Sequence, residues 1–250
     1  MQSKRHTDII GLLENRGTLA VSTLAEQFQV SLETIRRDVK PLVESGLLVR
    51  SHGAVGLAGQ LGEAPFQKRM RENAEAKRAI ARAVAATIRD GDAVMLDTGT
   101  TTSFLARELV RLRRLTIITN SSDIARTLAT QNGNRVYMAG GELRPDNGAA
   151  FGKSALEFIT QFSVSHAVIS AGAIDASGIM DFDLDEAEFA RMVLSRGERR
   201  IVVSDHTKFG RRGLIAVCPF GGFNMLATDR APPPEIADGL AAAGTDLLLA

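Results

Sequence analysis

The chain has 250 residues, 44% hydrophobic and 24% charged, with a formal net charge of +1 and one cysteine, Cys218. Such a composition belongs to a folded globular chain of one or two domains. The lone cysteine excludes an intramolecular disulfide and, without a Cys/His cluster, a structural zinc site, so neither metal nor cofactor is expected and a reducing cytoplasm fits best. No apolar leader follows the charged start, and no run of about 18 apolar residues exists, so neither a secretory signal nor a membrane span is expected.

Residues 5 to about 56 read as one unit. Ile9, Leu12 and Leu13 have helical spacing, and Arg16-Gly17 ends that helix. A second short helix carries Leu24, Ala25 and Phe28, with Thr23-Leu-Ala-Glu26 expected as a capping box at its start. Ser31 is a good N-cap for a third helix, in which Ile35, Val39 and Leu42 share the buried stripe. Pro41 removes a backbone N–H inside that helix and is expected to kink it. Gly46 stops it, and Leu47 to Val55 reads as a hairpin.

Glycines and Pro65 punctuate the next stretch, so residues 59–75 are expected to be a linker between a domain at 1–58 and one at 76–250. Beyond it, apolar runs alternate with helical segments. Strands are expected at 93–96, 115–119, 135–138, 167–170, 200–204, 225–228 and 247–249, with helices at 74–88, 102–111, 123–130, 185–195 and 234–243. This alternation predicts an α/β fold with a parallel, helix-covered sheet.

Three short helices followed by a hairpin suit a winged helix-turn-helix. The apolar stripe of the third helix leaves Thr34, Arg36, Arg37 and Lys40 on its other faces, where Arg can pair with guanine and Lys with phosphates in double-stranded DNA. Ser31 opens this helix, and Arg50 and His52 share one face of the hairpin. On periodicity alone, a solvated basic helix explains the same residues. Two ordered runs decide between the readings. Val30-Ser-Leu-Glu-Thr-Ile-Arg-Arg-Asp38 and Gly46-Leu-Leu-Val-Arg-Ser-His-Gly-Ala54 resemble the recognition helix and wing of DeoR-type regulators. The resemblance implies operator DNA as a partner.

Asp97-Thr-Gly-Thr-Thr-Thr102 joins a strand to a helix. Gly99 allows a tight turn, and free helix-start amides with threonine hydroxyls suit a phosphate, although such turns are also ordinary α/β punctuation. The run matches neither a dinucleotide nor an ATP loop. Further polar runs, at 120–121, 140–144, 170–173, 181–186 and 205–210, fall at strand ends, where open α/β sheets bind ligands. Their order resembles the DeoR-type sensor domain, which is similar in fold to ribose-5-phosphate isomerases and takes phosphorylated sugars or polyols as inducers. The resemblance implies that Asp97, Thr98, Gly99, Thr100 and Thr101 hold the phosphate. It implies that Gly140, Gly141, Glu142, Asp183, Glu186 and Lys208 line the rest. It further implies a repressor assembled as a homodimer or homotetramer. The alternatives are a sugar-phosphate isomerase using the carboxylates of Asp183 and Glu186 with Lys208, and an activator indifferent to metabolites.

Overall fold

The computed structural model describes residues 4–16, 19–51, 54–57 and 63–250. They fall into two compact units, Met1–Lys68 and Arg69–Ala250. The expectation placed on His52 lies outside the described residues, and for Arg50 only the backbone is described.

In the first unit, helices α1 (Lys4–Arg16), α2 (Val21–Gln27) and α3 (Leu32–Glu44) are accompanied by strands β1 (Leu19–Ala20), β2 (Leu48–Ser51) and β3 (Ala54–Leu57). The strands form an antiparallel sheet in the order β1-β3-β2, with Arg50 opposite Val55. Ile9, Leu13, Leu24, Ile35, Val39, Leu42, Leu48 and Val55 close the core. This arrangement is a winged helix-turn-helix. The turn between α2 and α3 is tight, with Val30 N–H donating to the Ala25 carbonyl at 3.0 Å and Gln29 at φ +52°.

One local expectation needs correction. The N-cap of α2 is Ala20, without a side-chain hydrogen bond, so Thr23 does not cap this helix. Starting at Val21 places Val21, Leu24 and Ala25 on one buried face at i, i+3 and i+4, and that burial outweighs a cap. α3 carries Pro41 within it and runs on to Glu44, where the Ser45 N–H donates to the Pro41 carbonyl at 2.9 Å. Ile35 and Val39 before the proline and Leu42 after it are all buried, so packing holds the helix on both sides of the lost bond.

Within the expected linker, Phe66–Arg71 forms α4, and Asn73 begins α5 (Ala74–Ala85) in a left-handed conformation at φ +51°. Lys77, only 3% exposed, donates to the carbonyls of Arg69 and Glu72. That pairing ties the end of α4 to α5 and explains why the span is helical despite its upstream glycines.

The second unit is built on a seven-stranded sheet. Its strands are β4 (Ala93–Leu96), β5 (Thr116–Thr119), β6 (Arg135–Met138), β7 (Val164–Ser170), β10 (Gly197–Val203), β12 (Met225–Thr228) and β13 (Asp246–Leu249). They are all parallel, in the order β13-β12-β10-β7-β4-β5-β6. Alternate side chains point to opposite faces. Val94, Leu96, Val168, Ile201 and Val203 pack against α5, α6 (Thr100–Leu109) and α7 (Ser122–Leu128). Met95, Ala167, Ile169, Val202 and Leu226 pack against α8 (Lys153–Ile159), α9 (Leu184–Ser195) and α10 (Pro234–Ala242). The inner strands β4, β5, β7 and β12 are mostly buried and read as apolar runs, whereas the edge strands β6 and β13 are partly exposed.

A second sheet was not expected. β8 (Ala173–Asp175), β9 (Gly178–Asp181) and β11 (Ile215–Cys218) pair antiparallel in the order β11-β9-β8. These strands are short and glycine-punctuated, so their sequence has the look of loops.

The strand order fixes where a ligand can enter. The chain moves outward from β4 through β5 to β6, then returns to the other side of β4 with β7 and moves outward through β10, β12 and β13. The switch lies between β4 and β7, the place at whose carboxyl ends open α/β sheets take ligands.

Candidate DNA-reading face and effector crevice

Ser31 caps α3, its Oγ accepting the Thr34 N–H at 3.1 Å and lying 2.8 Å from the Thr34 hydroxyl. Thr34 is therefore half-buried and occupied with the cap, while Arg36, Arg37 and Lys40 are exposed opposite the buried stripe. Their ion pairs are long: Arg36 to Glu33 at 3.8 Å and Lys40 to Glu44 at 3.9 Å. Such exposed pairs are worth about 0–1 kcal/mol and yield readily to a phosphate. Arg5 pairs with Asp38 at 2.7 Å and braces α1 against α3.

In the second unit the Asp97–Thr102 run leaves β4 at the switch point and enters α6. Asp97 is buried and faces inward. One carboxylate oxygen accepts the Ser170 N–H at 2.8 Å and the other the Thr102 hydroxyl at 3.0 Å. The carboxylate thus staples the ends of β4 and β7 together. Gly99 is the N-cap of α6, and a Cβ there would lie 1.9 Å from Ser170 Oγ. Only glycine lets the two loops pass this closely. No side chain caps α6, so the amides of Thr100 and Thr101 are left to whatever sits before the helix. Thr100 and Thr101 are themselves buried, and Thr98 donates to the Asn120 side-chain oxygen at 2.7 Å.

Asn120 extends the cluster, its amide nitrogen donating to the Ala150 carbonyl at 2.9 Å. The 140–150 loop is thereby joined to the crevice. Gly140 and Glu142 lie exposed in that loop, with Gly141 at φ +151°. Arg144 reaches from it to the start of α9, pairing with Asp183 at 3.1 Å, with Asp185, and with Glu186 at 3.6 Å. Its guanidinium also lies 4.2 Å from the centre of the Phe151 ring. Asp183 is the N-cap of α9, accepting the Glu186 N–H at 3.1 Å, and Glu186 accepts from Asn147 at 3.2 Å.

Most of the expected effector residues therefore belong to one connected region. Lys208 lies in the 3-10 turn His206–Lys208 that follows β10. Asn120, Ser170 and Arg144 were present in the polar runs but not singled out. The one cue available was an Asn before a helix-capping serine at a strand's end. No group of His, Cys, Asp and Glu among the described residues could hold a metal ion.

Fold and site define a winged helix-turn-helix joined in one chain to a doubly wound α/β unit with a polar cluster at its switch point. Residues 5–60 match the DeoR-like helix-turn-helix domain, and residues 72–230 match the DeoR C terminal sensor domain. The chain belongs to the DeoR family. It is similar to the glycerol-3-phosphate regulon repressor of Escherichia coli (strain K12), 35% identical over 236 residues, which cover 94% of both chains. It is 34% identical to the HTH-type transcriptional repressor CsqR of the same organism, over 98% of this chain and 94% of that one. It is 37% identical to the transcriptional repressor AccR of Agrobacterium fabrum (strain C58 / ATCC 33970), over 90% of this chain and 88% of that one. Among solved structures, ribose 5-phosphate isomerase A of Methanocaldococcus jannaschii matches 55% of each chain at 17% identity with a TM-score of 0.40.

Proposed function

We propose that this chain is a cytoplasmic transcriptional repressor of a carbon-metabolism operon, released from DNA by a phosphorylated sugar or polyol. Residues 1–58 bind operator DNA, 59–75 connect, and 76–250 bind the effector and carry the contacts of a homodimer or homotetramer. The observation that carries the reading is α3, with Arg36, Arg37 and Lys40 exposed opposite its buried stripe in a DeoR-like helix-turn-helix. Arg36 and Arg37 read bases or phosphates, Ser31 and Thr34 set the start of the helix, and Arg50 and His52 of the wing touch the adjoining backbone. The effector phosphate sits before α6, against the Thr98–Thr101 segment and Gly99, with Asp97 bracing the loop from behind. Gly140, Gly141, Glu142, Asp183, Glu186 and Lys208 surround the remainder of the ligand. Glycerol-3-phosphate is the first effector to test, because a relative 35% identical over almost the whole chain is named for its regulon.

Catalysis by the crevice is disfavoured. Asp183 caps α9 and pairs with Arg144, which leaves it poorly placed to exchange protons with a substrate. Footprinting of the purified chain on DNA upstream of its own gene tests the proposal. A protected site that is lost on adding glycerol-3-phosphate or another sugar phosphate supports it. The absence of any protected site contradicts it.

A further inference from the structure

A cavity of about 320 Å3 opens beside the crevice, its walls including Glu142, Arg144, Pro145, Phe151, Gly152 and Asp185. Asn120 links the Thr98 loop to the segment that carries Phe151, bonding Thr98 on one side and the carbonyl of Ala150 on the other. A ligand whose phosphate lies before α6 would direct its other end here.

The cavity's charge is lopsided. Arg144 is its one lining cation, and the carboxylates of Asp183, Asp185 and Glu186 already surround it. Burial works against the Arg144 charge, but its pairing with these carboxylates wins and holds its pKa above the usual guanidinium value. Glu142 is a further carboxylate, exposed on the wall and in no ion pair among the described residues. Lys153, beside Gly152, turns to Glu157 at 3.6 Å. The wall thus offers carboxylate acceptors and an aromatic ring, with the guanidinium already committed. Ligand hydroxyls donate to such acceptors, whereas a phosphate or carboxylate is repelled.

We propose that this cavity takes the neutral, hydroxyl-bearing end of the effector and rejects effectors that carry a second anionic group. The inference rests on the effector reading above and adds to it a rule of selection. Arg144 acts as a positioning residue, holding the start of α9 against the 142–145 loop so that Glu142 and Asp185 face the ligand.

The test is calorimetric titration of the full-length protein with matched alcohol and acid pairs: glycerol-3-phosphate against 3-phosphoglycerate, and glucitol-6-phosphate against 6-phosphogluconate. In whichever pair binds, the alcohol should bind at least about tenfold more tightly than the acid, as like-charge repulsion requires. Glu142→Gln with Asp185→Asn, checked for folding by circular dichroism, should shrink that gap to about threefold or less. Inorganic phosphate has no second end and should bind both proteins alike. An acid that binds as tightly as its alcohol, or a gap unchanged in the folded double variant, overturns the selection rule and leaves the effector reading intact. If no phosphorylated compound binds, the effector reading itself fails, and the rule with it.

Discussion

Arg36 and Arg37 are the residues on which DNA recognition turns. Both are exposed, and the contact of Arg36 with Glu33 is long, at 3.8 Å. Replacing either by alanine is expected to cost about 1–3 kcal/mol in operator binding if it reads a base. Anisotropy titrations at fixed salt measure the loss, and an unchanged affinity removes that arginine from the interface. In the crevice, Gly99→Ala would drive a Cβ to 1.9 Å from Ser170 Oγ, so one of the two loops must move. The expected result is a loss of about 1–3 kcal/mol in stability, as in other overpacked sites, together with loss of effector binding. Thermal melting and calorimetry read the two effects. Cys218 offers a control by pH. Burial raises its thiol to about 12, against the opposing pull of Arg200 and Arg191. Its thiolate is therefore scarce well above pH 8 in the folded state, and thiol reagents at that pH should modify it only after denaturation. Rapid labelling of the native protein would contradict this.

At the level of elements, the N-terminus of α9 does two jobs. Asp183 caps the helix and anchors Arg144 from the 142–145 loop. Asp183→Ala is expected to cost about 1–2 kcal/mol, a lost cap plus a partly buried ion pair, which melting curves of variant and parent will show. A melting point equal to the parent's would mean that Arg144 and α9 are held by other contacts. The seven parallel strands and the recognition helix were legible because their signals are local: apolar runs for the strands and a Ser31-led stripe for α3. The β8-β9-β11 sheet was not, since its strands of three and four residues are too short to show an alternation, and β11 joins β9 from far along the chain, Ile215 opposite Asp181. The same holds within the site. Asp97 and Gly99 stood out by their turn chemistry, but their contact with Ser170 exists only because β4 and β7 are neighbours in the sheet. Arg144 meets the α9 carboxylates some 40 residues away in sequence, so its role needed the fold.

In the whole molecule, two binding events are joined in one chain. An effector that weakens DNA binding by some factor must have its own affinity weakened by DNA through the same factor, typically about 5–150-fold. Paired recognition helices in a dimer would multiply the operator affinity beyond that of one unit. The most direct measurement is fluorescence anisotropy of the full-length protein on operator DNA, with and without a saturating phosphorylated effector, glycerol-3-phosphate first, at one salt concentration because phosphate contacts make affinity steeply salt-dependent. Specific binding is expected in its absence and at least about fivefold weaker binding in its presence, the lower end of usual coupling. Specific binding that no phosphorylated sugar or polyol alters, or no specific binding at all, would contradict this expectation.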